Sequence, residues 1–198
     1  MGLTLNEKKL LIIHKLLFDR IYVPSKSEQE RVHSAIYLCQ NMNVPISNGF
    51  GFNWYYECIY SEFLDYILER MNSKQDDIIN FSSNPDFKKE DFWNEGQINN
   101  LLSIHFVLSS QEDKDFIIIL CNLLFMYKNL ALLSFDKAVE ELKRRTSLLE
   151  SGKKYNNNSL LQDAWNCLGL LDLVQVKDDG DFKVLRRLLD KTLAKHRE

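Results

Sequence analysis

Glycine and proline are scarce in this chain, seven and three in 198 residues. A sandwich or barrel of many short strands needs turn residues at each reversal, so the shortage favours helices. The four cysteines, Cys39, Cys58, Cys121 and Cys167, contain no CxxC pair. They read as free thiols in a reducing cytoplasm rather than as a zinc site or a disulfide framework. Long apolar runs are missing too. The longest, residues 116–126, is interrupted by Asn122 and is too short to span a bilayer, so no membrane association is expected. The N-terminal segment is broken by His14, Lys15, Asp19 and Arg20 and does not read as a signal peptide.

Catalytic signatures are equally thin. The lone GxG, Gly49-Phe50-Gly51, has no third glycine and no following Lys-Ser/Thr, and reads as a turn. There is no G-x-S-x-G, no H-E-x-x-H and no EF-hand loop. His14, His33, His105 and His196 are scattered, with no pair three or four apart to form a metal face. No cofactor or metal is called for. His14 and His105 fall on apolar stripes and are expected in the core, whereas His33 lies just off its stripe, where it could reach a partner or solvent.

What is present is helical periodicity. Thr4 and Glu7 have capping-box spacing ahead of a helix predicted over about Leu5 to Ile21. Ser27 and Glu30 repeat that spacing before a second, about Glu28 to Asn41. Ser61, Ser134 and Ser159 are read as caps of later helices, and residues 116–127 form a helix apolar all round, which belongs at the centre of a core. Phe50 to Tyr60 is aromatic and suits a short strand or hairpin. The polar stretch 73–95 reads as a long loop, with a short strand at 78–81 as an option. Residues 173–185 fit either a winged-helix hairpin or a helix junction. The second is preferred, because Leu185, Leu188, Leu189 and Leu193 form a clean stripe after Asp181. The expectation is a mainly α, compact single domain over residues 1–198, with seven to eight helices, a short aromatic strand or hairpin and a winged-helix-like option for residues 1–72.

Charge is uneven. Residues 1–128 carry −5 and residues 129–198 carry +2. On a final helix, Lys183, Arg187, Lys191 and Lys195 fall four apart and share a face, a candidate phosphate-binding row. Lys143-Arg144-Arg145 sits beside Glu140 and Glu141 and reads as a solvated helix face. Glu57 stands in the aromatic segment, where a carboxylate could have a specific partner or simply face solvent.

Residues 8–72 also show a familiar order. A Leu-rich helix leads to Ile-Tyr-Leu-Cys-Gln (36–40), then to Phe-Asn-Trp-Tyr-Tyr (52–56) and Ile-Tyr-Ser-Glu-Phe-Leu (59–64). This resembles the bacterial YwgA-like family and, more distantly, the Panacea antitoxin-type domain, with their L-Q-K-x-x-Y-L-x-Q, F-x-W and Y-G-P-Y-S patterns. Tyr37, Leu38, Gln40, Tyr60 and Ser61 match those patterns, while Ser34 stands at the family's lysine. The resemblance implies a small helical bacterial protein, encoded near mobile or defence elements, that acts by protein contact. Tyr37, Trp54, Tyr56, Glu57 and Tyr60 are the candidate partner-binding residues, with at least two of Trp54, Tyr56 and Tyr60 expected in one groove with Tyr37. The alternative reading is a nucleic-acid-binding regulator using Lys183, Arg187, Lys191 and Lys195. A third is an enzyme with an unrecognised site near Glu57 and His33.

Overall fold

The computed structural model describes residues 2–23, 25–47, 50–83, 89–109, 111, 113, 115–131, 134–176 and 180–195. Its first helix, α1 (Leu5–Phe18), opens on the expected capping box: the Thr4 hydroxyl accepts from Glu7 N–H, and the Glu7 carboxylate accepts from Thr4 N–H. It ends before the predicted Ile21 because Asp19 turns left-handed, φ 52°, and donates its N–H to the Lys15 carbonyl. Helix α2 (Lys26–Asn41) is capped by Ser25, not Ser27, so it starts two residues earlier than its predicted Glu28.

A hairpin follows, β1 (Asn53–Tyr55) and β2 (Cys58–Tyr60), antiparallel with Trp54 opposite Ile59 and Tyr55 opposite Cys58. Ser61 caps α3 (Glu62–Asn72), as expected. The polar stretch 73–95 is neither the expected loop nor, at 78–81, a strand: it holds α4 (Gln75–Ser82) and a 3-10 turn, Lys89–Asp91. Ile78 is that helix's buried residue, so tertiary packing of one side chain carries a segment whose overall polarity hides it. Then come α5 (Glu95–Ser109), α6 (Phe116–Asn129), α7 (Phe135–Thr146, capped by Ser134), α8 (Asn158–Leu170) and α9 (Gly180–Lys195). Asn157 caps α8 in place of Ser159.

Helices cover 72% of the structure and, with one two-stranded sheet among the described residues, make it a mainly α compact domain. Residues 116–126 of α6 are all buried, which is what a helix apolar on every side requires. Around it pack α2, α7, α8 and β2; α1 lies on α2 and α5, and α9 lies across α5 and α8. The chain after α8 turns back at left-handed Asp172, φ 57°. Gly169 admits that return, since a Cβ there would lie 2.6 Å from Val176 Cγ2. Residues 180–185 are therefore helical, the junction rather than the wing, while 177–179 lie outside the described residues. No helix among the described residues is long and apolar enough to cross a membrane.

Candidate functional site

Two-residue alternation along the hairpin decides which aromatics reach the surface. Trp54 and Ile59 oppose each other on the inner face. There Trp54 meets Phe125 at 6.1 Å, and Tyr37, buried on α2, meets Phe125 at 6.2 Å and Phe52 at 5.3 Å. Tyr55 and Tyr60 stand on the outer face, 5.4 Å apart. The groove expected to include Tyr37 is therefore built differently: Tyr56, Glu57 and Tyr60 line one cavity, and Tyr37 and Trp54 belong to the core side.

That cavity, about 530 Å³, lies between the hairpin, the first turns of α2 and the start of α3. The spacing of Lys26, Glu30 and His33 along α2 brings all three to it, and Asp65 arrives from α3. Tyr55 and Tyr56 are 58% and 71% exposed, unusually open for two adjacent aromatics in edge-to-face contact at 4.8 Å. The tight register leaves Tyr56 and Glu57 as a two-residue turn, and Tyr56 takes a left-handed φ of 53°, unfavourable for a bulky side chain. Asn122 holds the turn from below: its Nδ2 donates to the Glu57 carbonyl at 2.9 Å and to the Tyr155 hydroxyl at 2.8 Å.

His33 forms the floor. It is 2% exposed, stacks on Tyr60 at 4.8 Å and 20°, and accepts the Ser61 N–H on Nδ1 at 3.1 Å. That bond leaves the hydrogen of the neutral ring on Nε2, which has no hydrogen-bond partner and lies 3.8 Å from Asp65 Oδ1. Burial pushes the His33 pKa down to about 4, against the pull of Asp65, so the ring is neutral at pH 7. Asp65 Oδ2 accepts the Tyr60 hydroxyl at 2.8 Å. Burial and that carboxylate push Tyr60 up to about 12, and burial pushes Cys58, at the cavity wall, up to about 11. Burial also raises Glu30, with Glu57 adding to the effect and Lys26 and Lys154 opposing it.

The other histidines divide. His14 is buried, as expected, and fully bonded: Nδ1 meets the Arg20 carbonyl at 3.1 Å and Nε2 meets Glu28. Arg20 and Arg31 also converge on Glu28, and Arg31 reaches Asp115 at 2.8 Å, tying α2 to the start of α6. His105 is a correction, since it is exposed on α5 instead of buried in the core. His196 lies outside the described residues. Among the described residues no cluster of His, Cys, Asp or Glu could hold a metal ion.

On α9, Lys183, Arg187, Lys191 and Lys195 are all exposed along one row. The predicted inward stripe is wrong in part: Leu189 is 2% exposed, but Leu185 and Leu188 are 41% and 46%. The line facing the body is Phe182, Arg186, Leu189 and Leu193, fixed by the Arg186 guanidinium donating to the Leu170 carbonyl at 2.8 Å and pairing with Asp172. In the Lys143-Arg144-Arg145 cluster, Arg144 and Arg145 share one carboxylate, Glu141, and hold it down at about 2, while Lys143 donates to the Asn158 side-chain oxygen at 2.8 Å.

No protein-family model, curated protein or solved structure matches this chain. Sequence reading missed Tyr55, Glu30, Lys26 and Asp65 as site residues, because they converge only in three dimensions. The one available signal was Asn122, a polar residue in an otherwise apolar helix.

Proposed function

We propose that this chain is a protein-interaction module, antitoxin-like or adaptor-like, that docks a protein partner on the outer face of its hairpin. The observation that carries the reading is the pair of exposed tyrosines, Tyr55 and Tyr56, at the rim of a cavity of about 530 Å³. Rigid aromatics beside a concavity are what interface hot spots are made of. Tyr56, Glu57 and Tyr60 are the contact residues foreseen from sequence that fit this role, while Tyr37 and Trp54 support it from beneath. The resemblance of residues 8–72 to bacterial defence-associated families points the same way, and four free thiols suit a cytoplasmic location.

The cavity's chemistry favours binding over catalysis. Its two candidate nucleophiles, Cys58 and Tyr60, are protonated at neutral pH, with pKa values pushed up to about 11 and about 12. His33 has no lone pair free to act as a base, because Nδ1 is occupied by the Ser61 N–H and Nε2 carries the proton. The test is capture from the native host with wild-type protein, with Tyr55→Ala/Tyr56→Ala and with Lys191→Gln/Lys195→Gln. A partner kept by wild type and the lysine variant, and lost from the tyrosine variant, is expected. Equal recovery by all three refutes the reading.

A second reading, a nucleic-acid-binding regulator, has one observation in its favour: the four exposed cations on one row of α9. Phosphate contacts of this kind position a protein without specifying sequence. Sequence-selective, salt-resistant binding at nanomolar protein in a gel-shift assay would place this reading first.

A further inference from the structure

The hairpin cavity has the chemistry of a cation receptor. We infer that it takes the side chain of an arginine presented by the partner, the guanidinium lying against the Tyr55/Tyr60 rings and pairing with the carboxylates of Glu57 and Asp65. This rests on the protein-interaction reading above and names the partner's chemistry.

Charge comes first. Three carboxylates, Glu30, Glu57 and Asp65, line the cavity against one ammonium, Lys26. Lys26 stands 3.9 Å from Glu30 with its side chain 87% exposed, a loose solvent-screened contact that neutralises little. Lys154 lends positive potential to Glu30 and Cys58, but its ammonium is placed over the Tyr155 ring at 5.3 Å. No lysine or arginine pairs with Glu57 or Asp65 among the described residues. The cavity is thus left with uncompensated negative charge inside an aromatic wall, the setting in which a cation gains from both carboxylates and ring faces.

A second observation is independent of that charge. His33 is 2% exposed, it borders the cavity, and its Nε2–H has no acceptor within hydrogen-bond distance. A buried donor left without a partner is unfavourable, and the ring cannot turn to avoid it without breaking its bond to Ser61 N–H. Asp65 Oδ1, at 3.8 Å, stops short of bonding it, while Oδ2 of the same carboxylate is already taken by Tyr60. The floor therefore holds one buried donor without a partner, next to a part-exposed carboxylate oxygen that can accept from a ligand. A peptide arginine brings both kinds of group, guanidinium N–H for the carboxylate and a backbone carbonyl for a donor.

Planarity selects arginine over lysine. His33 stacks on Tyr60 at 4.8 Å and 20°, and Tyr60 and Tyr55 continue at 5.4 Å and 36°. A flat guanidinium extends this run of rings and meets a carboxylate with two parallel N–H groups, whereas an ammonium does neither.

The test titrates the intact chain with N-acetyl-arginine methylamide and with its uncharged citrulline and its lysine counterparts, reading the ring signals of Tyr55, Tyr60 and His33 by NMR. Arginine is expected to bind in the millimolar range, lysine several-fold more weakly and citrulline at least about tenfold more weakly, each lost ion pair being a factor of about five. Glu57→Gln/Asp65→Asn should weaken arginine by about tenfold or more with the helical circular dichroism intact. Lys26→Gln should tighten it about twofold, a gain that an unfolded protein cannot mimic. Citrulline binding as well as arginine, no response to arginine at about 50 mM, or a double variant that binds like wild type would overturn the inference. If arginine fails while partner capture still depends on Tyr55 and Tyr56, only this inference falls. If capture ignores those tyrosines, the underlying reading falls instead.

Discussion

Replacing Asn122 by alanine should destabilise the whole chain and loosen the hairpin together, because one buried amide serves both. Asn122 is fully buried in α6, and its Nδ2 donates to the Glu57 carbonyl at the hairpin tip and to the buried Tyr155 hydroxyl. Losing two hydrogen bonds removes about 2 kcal/mol net, and leaving the Tyr155 oxygen without its donor adds about 1–2 kcal/mol. The part-buried Glu57 carbonyl can recover a bond from water and adds little. Against this, the Asn122 Oδ1 has no partner in the folded chain, so deleting it returns about 1 kcal/mol. The expected loss is about 2–3 kcal/mol in urea unfolding, or a melting point lower by about 4–12 °C for a chain of this size. Tyr155→Phe alone should cost about 1 kcal/mol, and the double variant should fall short of the sum by about 1 kcal/mol, since the two residues share a bond. Amide exchange at Tyr55 and Cys58, the last paired residues before the turn, should accelerate in Asn122→Ala and not in Tyr155→Phe. A loss under about 1 kcal/mol, additive single effects, or unchanged exchange at the hairpin would show that Asn122 is not its anchor.

Three further outcomes are expected. Burial pushes the His33 pKa down from an ordinary 6.5 to about 4 in the folded chain. The unfolded chain therefore binds more protons in that window, and the stability His33 contributes is full above about pH 6.5 and is lost as pH falls toward 4. Between pH 7 and about 4.5 wild type should lose about 2 kcal/mol more than His33→Gln in urea unfolding, and parallel declines would count against a buried neutral ring. Leu189→Ala should destabilise by about 2–5 kcal/mol and Leu188→Ala by under about 0.5 kcal/mol, the reverse order indicating a different rotation of α9. If the basic row of α9 is only a non-specific contact, duplex DNA should bind no tighter than about 10⁻⁵ M at physiological salt, with a log–log salt slope no steeper than about −3.6 for four phosphates. A steeper slope measured by fluorescence anisotropy would mean that cations beyond Lys183, Arg187, Lys191 and Lys195 take part.

Much of the secondary structure was legible without coordinates because its determinants are local. Thr4 and Glu7 form their capping box within one turn, and Ser61 and Ser134 each cap from three residues away. The all-round apolarity of residues 116–126 allowed only a central position for α6. The aromatic segment was readable as a short strand or hairpin, and three of the candidate contact residues, Tyr56, Glu57 and Tyr60, line one cavity. What tertiary structure alone decided was every choice that depends on a distant partner. Strand register, set by packing of Trp54 and Ile59 against the body, turned Trp54 inward and Tyr55 outward, and packing of α2 on α6 buried Tyr37 against Phe52 and Phe125. A single buried Ile78 made a helix of a polar stretch, and the reach of Arg186 to Leu170 and Asp172 rotated α9 so that Leu185 and Leu188 face water. Asp65 and His33 are 32 positions apart in the chain and 3.8 Å apart in space. Periodicity reports which face of an element is apolar, but it carries no information about which two faces meet, and it is that meeting which assembles the cavity.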